Sequence, residues 1–428
     1  MNVVGLKYYC TLLLIIFLIS ISVNGGNNLS LSLKEAEERF LEKNIVLMAE
    51  KLEMDIKELK IREAKRWNNP EFEVEHQIIN RDESGPVGFT GSDNTAFEIE
   101  QLFSTAGKRG HNIKLRELDR LKSEAQLNKL IRTLTKTLRE EYVTLAYLNR
   151  IKGLYQKQID ALEKILEGFE SQYKEGNIRR LEIVRFRSLL LELEKEYSVV
   201  LKKKMESQQS LKVLLQLEDK TPVPKLPEDP WQYTEKPQYL NLNNFYQTAL
   251  ESRGDIRSSV INVNSAEREL KLEEANQWPD LTIGMAYDKL DGVIDNYFGI
   301  TLSMELPLWN RNRENVRIAS HRIKQSQLIL NQKEQKLKLE IESALNKLNR
   351  AKRLYKRTEF FYEAEFEEII KALTIQYKRG DIRLIEFVDF YESFRESVIR
   401  KYSVQQELLI AAEELNFEVG RDIFQFNF

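Results

Sequence analysis

Cysteine is almost missing from this chain. The single copy, Cys10, cannot close an intrachain disulfide, and the three histidines (His76, His111, His321) are scattered without ligand spacing. A disulfide scaffold and a Cys-based metal cage are excluded on that basis, and neither metal catalysis nor a cofactor is expected. Charge of one sign is missing too: 65 Lys and Arg against 67 Asp and Glu leave a net −2, which argues against a broadly basic nucleic-acid surface. Proline is scarce, with 9 in 428 residues, and five of them (Pro222, Pro224, Pro227, Pro230, Pro237) fall in one stretch. No phosphate-binding loop, nucleophile–base set or proton relay occurs, so neither an enzyme nor an energised pump is expected. Beyond the N-terminal segment, no run approaches the roughly 20 apolar residues that a spanning helix needs.

The N-terminal segment stands apart. Lys7 precedes the apolar run TLLLIIFLISISV (11–23), and Asn24-Gly25-Gly26 follows. A positive start, a short apolar core and small residues after it describe a secretory signal over 1–25; the alternative is a retained anchor. Cys10 precedes the apolar run, so it is not placed for lipid attachment. The remainder is rich in Leu, Glu, Lys and Arg, the composition of long helices.

That remainder is one unit written twice. QYKEGNIRRLEIVRF (172–186) and QYKRGDIRLIEFVDF (376–390) agree at nine of fifteen positions, 204 residues apart. Upstream, Leu33 and Leu41 match Leu242 and Leu250, and Pro70 matches Pro279, at a spacing of 209. The first repeat spans 26–219, the Pro-rich linker 220–239 and the second repeat 240–428. Such a long period points to duplication with pseudo-twofold architecture.

Each repeat opens with a helical pattern, over 33–66 in the first, with apolar Leu33, Ala36, Phe40, Leu41, Ile45, Leu47 and Met48. Two strands follow, about 71–82 and 95–104, then 280–289 and 296–306 in the second repeat. In EFEVEHQII, Phe72, Val74, His76 and Ile78 alternate with Glu71, Glu73, Glu75 and Gln77; the loop ESGPVGFTGSDN separates the pair. Long helices over 112–174 and 313–378, on the order of 90–100 Å each, turn near 176 and 380 and return over 178–217 and 382–420. Gly176 and Gly380 suit the left-handed end of a helix, and Asn177 and Asp381 a turn or N-cap. The alternative for the repeated tip is a structural turn without a recognition role.

Strands of about ten residues with period-two alternation have the form of tilted membrane-spanning strands. The other reading is an antiparallel sheet capping a soluble helical protein. Four strands cannot close a barrel, and lipid does not tolerate an open edge, so several chains must share one. Two chains give eight strands and a filled interior; three give twelve and a lumen. Glu71, Glu73, Glu75, Glu98, Glu100 and Glu305 alternate with apolar positions and are expected to face that lumen.

The order of helix, strand pair, hairpin, linker and repetition resembles the TolC family of outer-membrane efflux proteins, over essentially the whole mature chain. The tips QYKEGNIRRLEIV and QYKRGDIRLIEFV and the passages QLFSTAGKRG (101–110) and ELPLWNRNR (305–313) carry the likeness. The resemblance implies a mainly α fold with a small β part. It implies a homotrimer whose twelve-stranded outer-membrane β-barrel continues into a twelve-helix periplasmic α-barrel. Its implied partners are a periplasmic adaptor (membrane fusion protein), an inner-membrane pump of RND or ABC type and outer-membrane lipid, in a Gram-negative-type cell. The implied adaptor-docking tips are Gly176, Asn177, Ile178 and Arg179 with Gly380, Asp381, Ile382 and Arg383. Glu386 and Asp389, six and nine residues after the second tip glycine, match carboxylates that ring the periplasmic aperture, and Tyr377 matches a residue that helps hold it shut. Where the family type member has an arginine partner, this chain has Ile382, with Arg383 one step on. The implied function is a passive trimeric exit duct in tripartite efflux or type I secretion. The competing classes are an exported coiled-coil structural or adaptor protein without a pore, and an exported helical enzyme.

Overall fold

The first helical pattern, read as one helix over 33–66, is two helices. The computed structural model describes residues 28–76, 95–176, 178–218, 220–225, 230–234, 241–290, 294–358 and 365–426. Outside them lie the expected signal segment with Cys10, strand positions 77–82, the loop that follows, Asn177 and parts of the linker. In chain order the first repeat forms β1 (Asn28–Leu31), α1 (Leu33–Lys43), α2 (Ile45–Ala64), β2 (Glu71–His76), β3 (Thr95–Phe103), α3 (Lys108–Lys174) and α4 (Arg180–Leu215). The linker holds β4 (Thr221–Pro224) and a 3-10 turn (Pro230–Tyr233). The second repeat forms α5 (Leu242–Ser252), α6 (Gly254–Ala275), β5 (Leu281–Leu290), β6 (Ile294–Met304), α7 (Arg313–Lys356), α8 (Glu365–Arg379) and α9 (Leu384–Val419).

The break between α1 and α2 has a cause that repeats. Asn44 caps α2 through its side-chain oxygen on the Leu47 N–H (3.1 Å), while its amide donates to the carbonyl of Leu214 at the end of α4 (3.0 Å). Its counterpart Arg253 stands between α5 and α6 and donates to the carbonyl of Glu418 at the end of α9 (3.3 Å). At each kink a side chain satisfies an orphan carbonyl at the end of another helix, and Asn44 alone also caps the helix it precedes. Beneath the kink the cores trade volume: Ala36 and Phe40 of the first repeat correspond, at the spacing of 209, to Phe245 and Ala249 of the second, all four buried. The break also turns Leu41, Ile45 and Met48, which the helical pattern placed on the buried face, out to solvent.

α2, α3, α6 and α7 pack side by side in that order, and the strands they join pair in the matching order β2-β3-β5-β6. All neighbours are antiparallel. The helices and the sheet thus form one continuous layer with two open edges, β2 with α2 at one side and β6 with α7 at the other. A closed barrel is not formed within one chain. Toward the tips, α3 packs on α4 and on α9, and α9 on α7 and α8, around a core that includes Tyr147, Leu162, Phe169, Phe186, Phe387 and Tyr391. The proline-rich linker is more than a tether: β4 pairs in parallel with β1, and Trp231 stacks on Tyr355 of α7 at 5.6 Å. The second long helix, read as 313–378, is described as α7 and α8, with 359–364 outside the described residues.

Candidate functional site

Register sorts the sheet into two chemically different faces. Glu71 pairs with Glu100 and Glu73 with Glu98; next along the same face come Gly284 and Ala286, then Thr301 and Gly299. The opposite face carries Phe72, Val74, Phe97, Ile99, Ile283, Met285, Tyr287, Phe298, Ile300 and Leu302, and most of these side chains are exposed. Phe72, Phe97, Tyr287 and Phe298 form a chain of ring contacts across all four strands at 6.4, 6.2 and 4.9 Å. Directly opposed carboxylates are unfavourable unless water surrounds them, and an exposed aromatic face is unfavourable unless an apolar medium covers it. The sheet is built for a different solvent on each side.

Gly284 is needed between Glu100 and Thr301. A Cβ there would lie 2.3 Å from Thr301 Oγ1 and 3.1 Å from Glu100 Cγ. The space it leaves lets the acidic side chains lie flat across the sheet, and Thr301 Oγ1 donates to Glu98 at 3.2 Å. Of the expected lumen residues, Glu305 lies just beyond Met304, the last residue of β6, at the passage to α7. No helix of the described residues is long and apolar enough to cross a membrane.

At the other end of the molecule the two tips share a backbone design. Gly176 and Gly380 have φ of +82° and +79°, and each donates its N–H to the tyrosine carbonyl three residues earlier, at 3.0 Å. In the second tip Asp381 N–H also reaches the Gln376 carbonyl (2.9 Å), completing a Schellman ending. Asp381 is therefore part of the turn, one of the two roles expected for it, and the N-caps of the returning helices are Arg179 and Arg383. Ile178 and Ile382 pack onto the hairpin core.

The side chains break the symmetry. Tyr377 inserts among Phe169, Phe186 and Phe387, with ring centroids 5.1, 6.5 and 5.9 Å away, and its hydroxyl donates to Glu182 of the first repeat (2.8 Å). Burial, then the Glu182 carboxylate, pushes the phenol well above its ordinary range. Its counterpart Tyr173 is exposed. Arg383 does not partner Tyr377: it binds Glu386 through its backbone N–H (2.7 Å) and its guanidinium (2.9 Å). Those bonds hold the Glu386 carboxyl below the usual carboxylate range. Asp389, one turn on, is exposed.

Residues 245–421 match the family model described as outer membrane efflux protein. The match lies in the second repeat and covers less than half of the chain. No curated protein is similar to it in sequence. Among solved structures, this chain is similar to the Campylobacter jejuni CmeC outer membrane channel (14% identity, TM-score 0.76, 92% of this chain and 87% of that one). It is likewise similar to CusC (17%, 0.76, 94% and 96%) and to the Vibrio cholerae outer membrane protein VceC (15%, 0.71, 91% and 96%). At these identities the likeness is one of fold. Sequence reasoning missed Glu182 as the partner of Tyr377. The signal was present, since Glu182 and Glu386 are equivalent residues in the two tips, but which of them a tyrosine reaches depends on how the hairpins pack.

Proposed function

We propose that three copies of this chain form a passive exit duct through the outer membrane of a Gram-negative-type cell, fed by an inner-membrane pump of RND or ABC type through a periplasmic adaptor. One observation carries the reading: an open antiparallel sheet whose exposed apolar face and opposed acidic face run straight into a helical layer with open edges of its own. The outer strands β2 and β6 run in opposite directions, so β6 of one copy can continue antiparallel onto β2 of the next. Closure removes the edge, which a sheet in lipid requires. Two copies give eight strands and a filled interior, whereas three give twelve around a water-filled lumen lined by Glu71, Glu73, Glu75, Glu98 and Glu100.

The helical edges support the same closure. The outer face of α2 exposes Ile45, Met48, Leu52, Ile56 and Leu59 at spacings of three and four, and α7 exposes Leu328 and Leu339. On α4, Val184, Leu191 and Met205 lie seven or fourteen residues apart and are exposed as well. Such stripes are the seams of packed helices, and neighbouring copies cover them in a twelve-helix periplasmic tunnel. The tunnel ends at the tips, where the turns around Gly176, Asn177 and Arg179 and around Gly380, Asp381 and Arg383 meet the adaptor, anchored by Ile178 and Ile382. Tyr377 bound to Glu182 ties the second hairpin to the first, and Glu386 and Asp389 line the aperture. A pore-free structural protein is not favoured, because nothing in that role calls for an exposed aromatic sheet face backed by a ladder of acids. Planar bilayers test the reading. Purified protein should insert as a trimer and conduct, with cations preferred over anions; a water-soluble monomer giving no channels overturns it.

A further inference from the structure

The first repeat opens a cavity beside residues of α4 whose counterparts on α9 are buried. About 430 Å³ of space lies between α3, α4 and β4, lined by Asn149, Arg150, Lys204, Gln208 and Thr221 along with Ala146 and the strand residues 222–224. Among the described residues lining it, none is acidic. Lys204 makes no ion pair among the described residues, and neither Asn149 nor Gln208 makes a hydrogen bond there. Burial, and then the neighbouring Lys152, pushes the Lys204 ammonium below the ordinary lysine range. The half-buried cation therefore stands beside another cation and two amides with unused donors. Leaving a partly desolvated charge unpaired is unfavourable, and an anion with two or three acceptor oxygens reverses that cost through charge-assisted hydrogen bonds.

The duplicated frame does not ask for these residues. At the spacing of 204 that relates the hairpins, Arg150, Lys204 and Gln208 correspond to Leu354, Leu408 and Ala412. Leu408 and Ala412 are fully buried in a core with Phe245 and Leu348. A lysine and a glutamine thus occupy positions where the sister hairpin packs aliphatic side chains, and β4, which comes from the linker, closes one side. We propose that this cavity binds a small oxyanion, a phosphate or a carboxylate, held by the ammonium of Lys204, the guanidinium of Arg150 and the amide donors of Asn149 and Gln208. The site lies on the helical hairpin, apart from both the sheet and the tips, and does not depend on the duct reading.

Calorimetric titration of the full-length, detergent-purified protein tests it, with inorganic phosphate in one arm and N-acetylalanine as the carboxylate in the other. At least one anion should bind saturably, and the arm that responds tells a phosphate-bearing ligand from a peptide carboxylate. Lys204→Gln, which keeps the site polar and removes only the charge, should weaken binding by about tenfold, ~1.4 kcal/mol. Lys204→Leu with Gln208→Ala, the side chains of the second repeat, should abolish it while the melting temperature holds or rises. Saturable binding of neither anion, or equal affinity in Lys204→Gln, overturns the assignment.

Discussion

Arg139 of α3 stands among three carboxylates: Glu37 at 2.6 Å, Glu413 at 2.9 Å and Asp422 at 3.0 Å. Glu413 is the most deeply buried of the three, and burial pushes its pKa up to about 7 despite the guanidinium beside it. The folded protein therefore holds this proton more tightly than the unfolded chain. Its contribution is fully present below about pH 4.5 and is lost as pH rises through about 7. Glu413→Gln fixes the neutral form, so it should melt above the wild type at pH 8 and level with it at pH 4. The gap is at most about 3 kcal/mol, at ~1.4 kcal/mol per pKa unit. Melting curves that stay parallel from pH 4 to 8 would show that burial does not raise the Glu413 pKa. Tyr377 carries the other prediction at this scale. Tyr377→Phe keeps the ring among Phe169, Phe186 and Phe387 and deletes only the bond to Glu182, worth about 1–2 kcal/mol. If that bond latches the hairpins, the open fraction in bilayer recordings should rise by about tenfold; unaltered gating would remove it from the latch. The tyrosine was legible from its place before the glycine, but its partner was not, because that contact spans 195 residues and depends on helix packing.

Among the elements, strands and long helices were read with small errors because periods of two and of three to four register which face is buried. α3 begins at Lys108 rather than 112, after a left-handed Gly107 that no periodicity marks. The split at Asn44 escaped because the apolar spacing runs on through it; the reason for it is a carbonyl at the end of α4, 170 residues away. Between turn and N-cap for Asp381, the structure has the turn, and the N-cap falls on Arg383. Arginine is not a capping residue by type, yet Arg383 takes that place because Glu386, three residues on, reaches back to its N–H. The tip turn itself makes a sharp forecast. A side chain at Gly380 meets nothing within 4 Å, so the only cost of adding one is the positive φ. Gly380→Asn should be tolerated, whereas Gly380→Val, costing about 1–2 kcal/mol, should distort the turn. Copurification with the adaptor should fall for the valine variant alone, with trimers intact in both. Equal adaptor recovery from the two variants would separate that turn from docking.

For the whole molecule, the open edges of the sheet and of the helical layer lie on the same two sides, so one association covers both. Leu52→Glu with Leu59→Glu on the outer face of α2 should shift the detergent-solubilised mass from trimer toward monomer. Lys51→Glu, also exposed on α2, should not. A double variant that remains trimeric would place the subunit seam elsewhere.

The sequence by itself determined the duplication, the helix-strand-strand-hairpin order, the two-faced strands and the glycine tips, since each is recorded in local periodicity or in a residue type that one backbone conformation demands. Only the tertiary structure decided which strands are neighbours, that the linker contributes β4, and that Tyr377 pairs with Glu182 while Glu386 is occupied by Arg383. Those outcomes compare alternatives of nearly equal local energy. What separates them is the packing of side chains brought together from both repeats, and no window along a single chain contains that information.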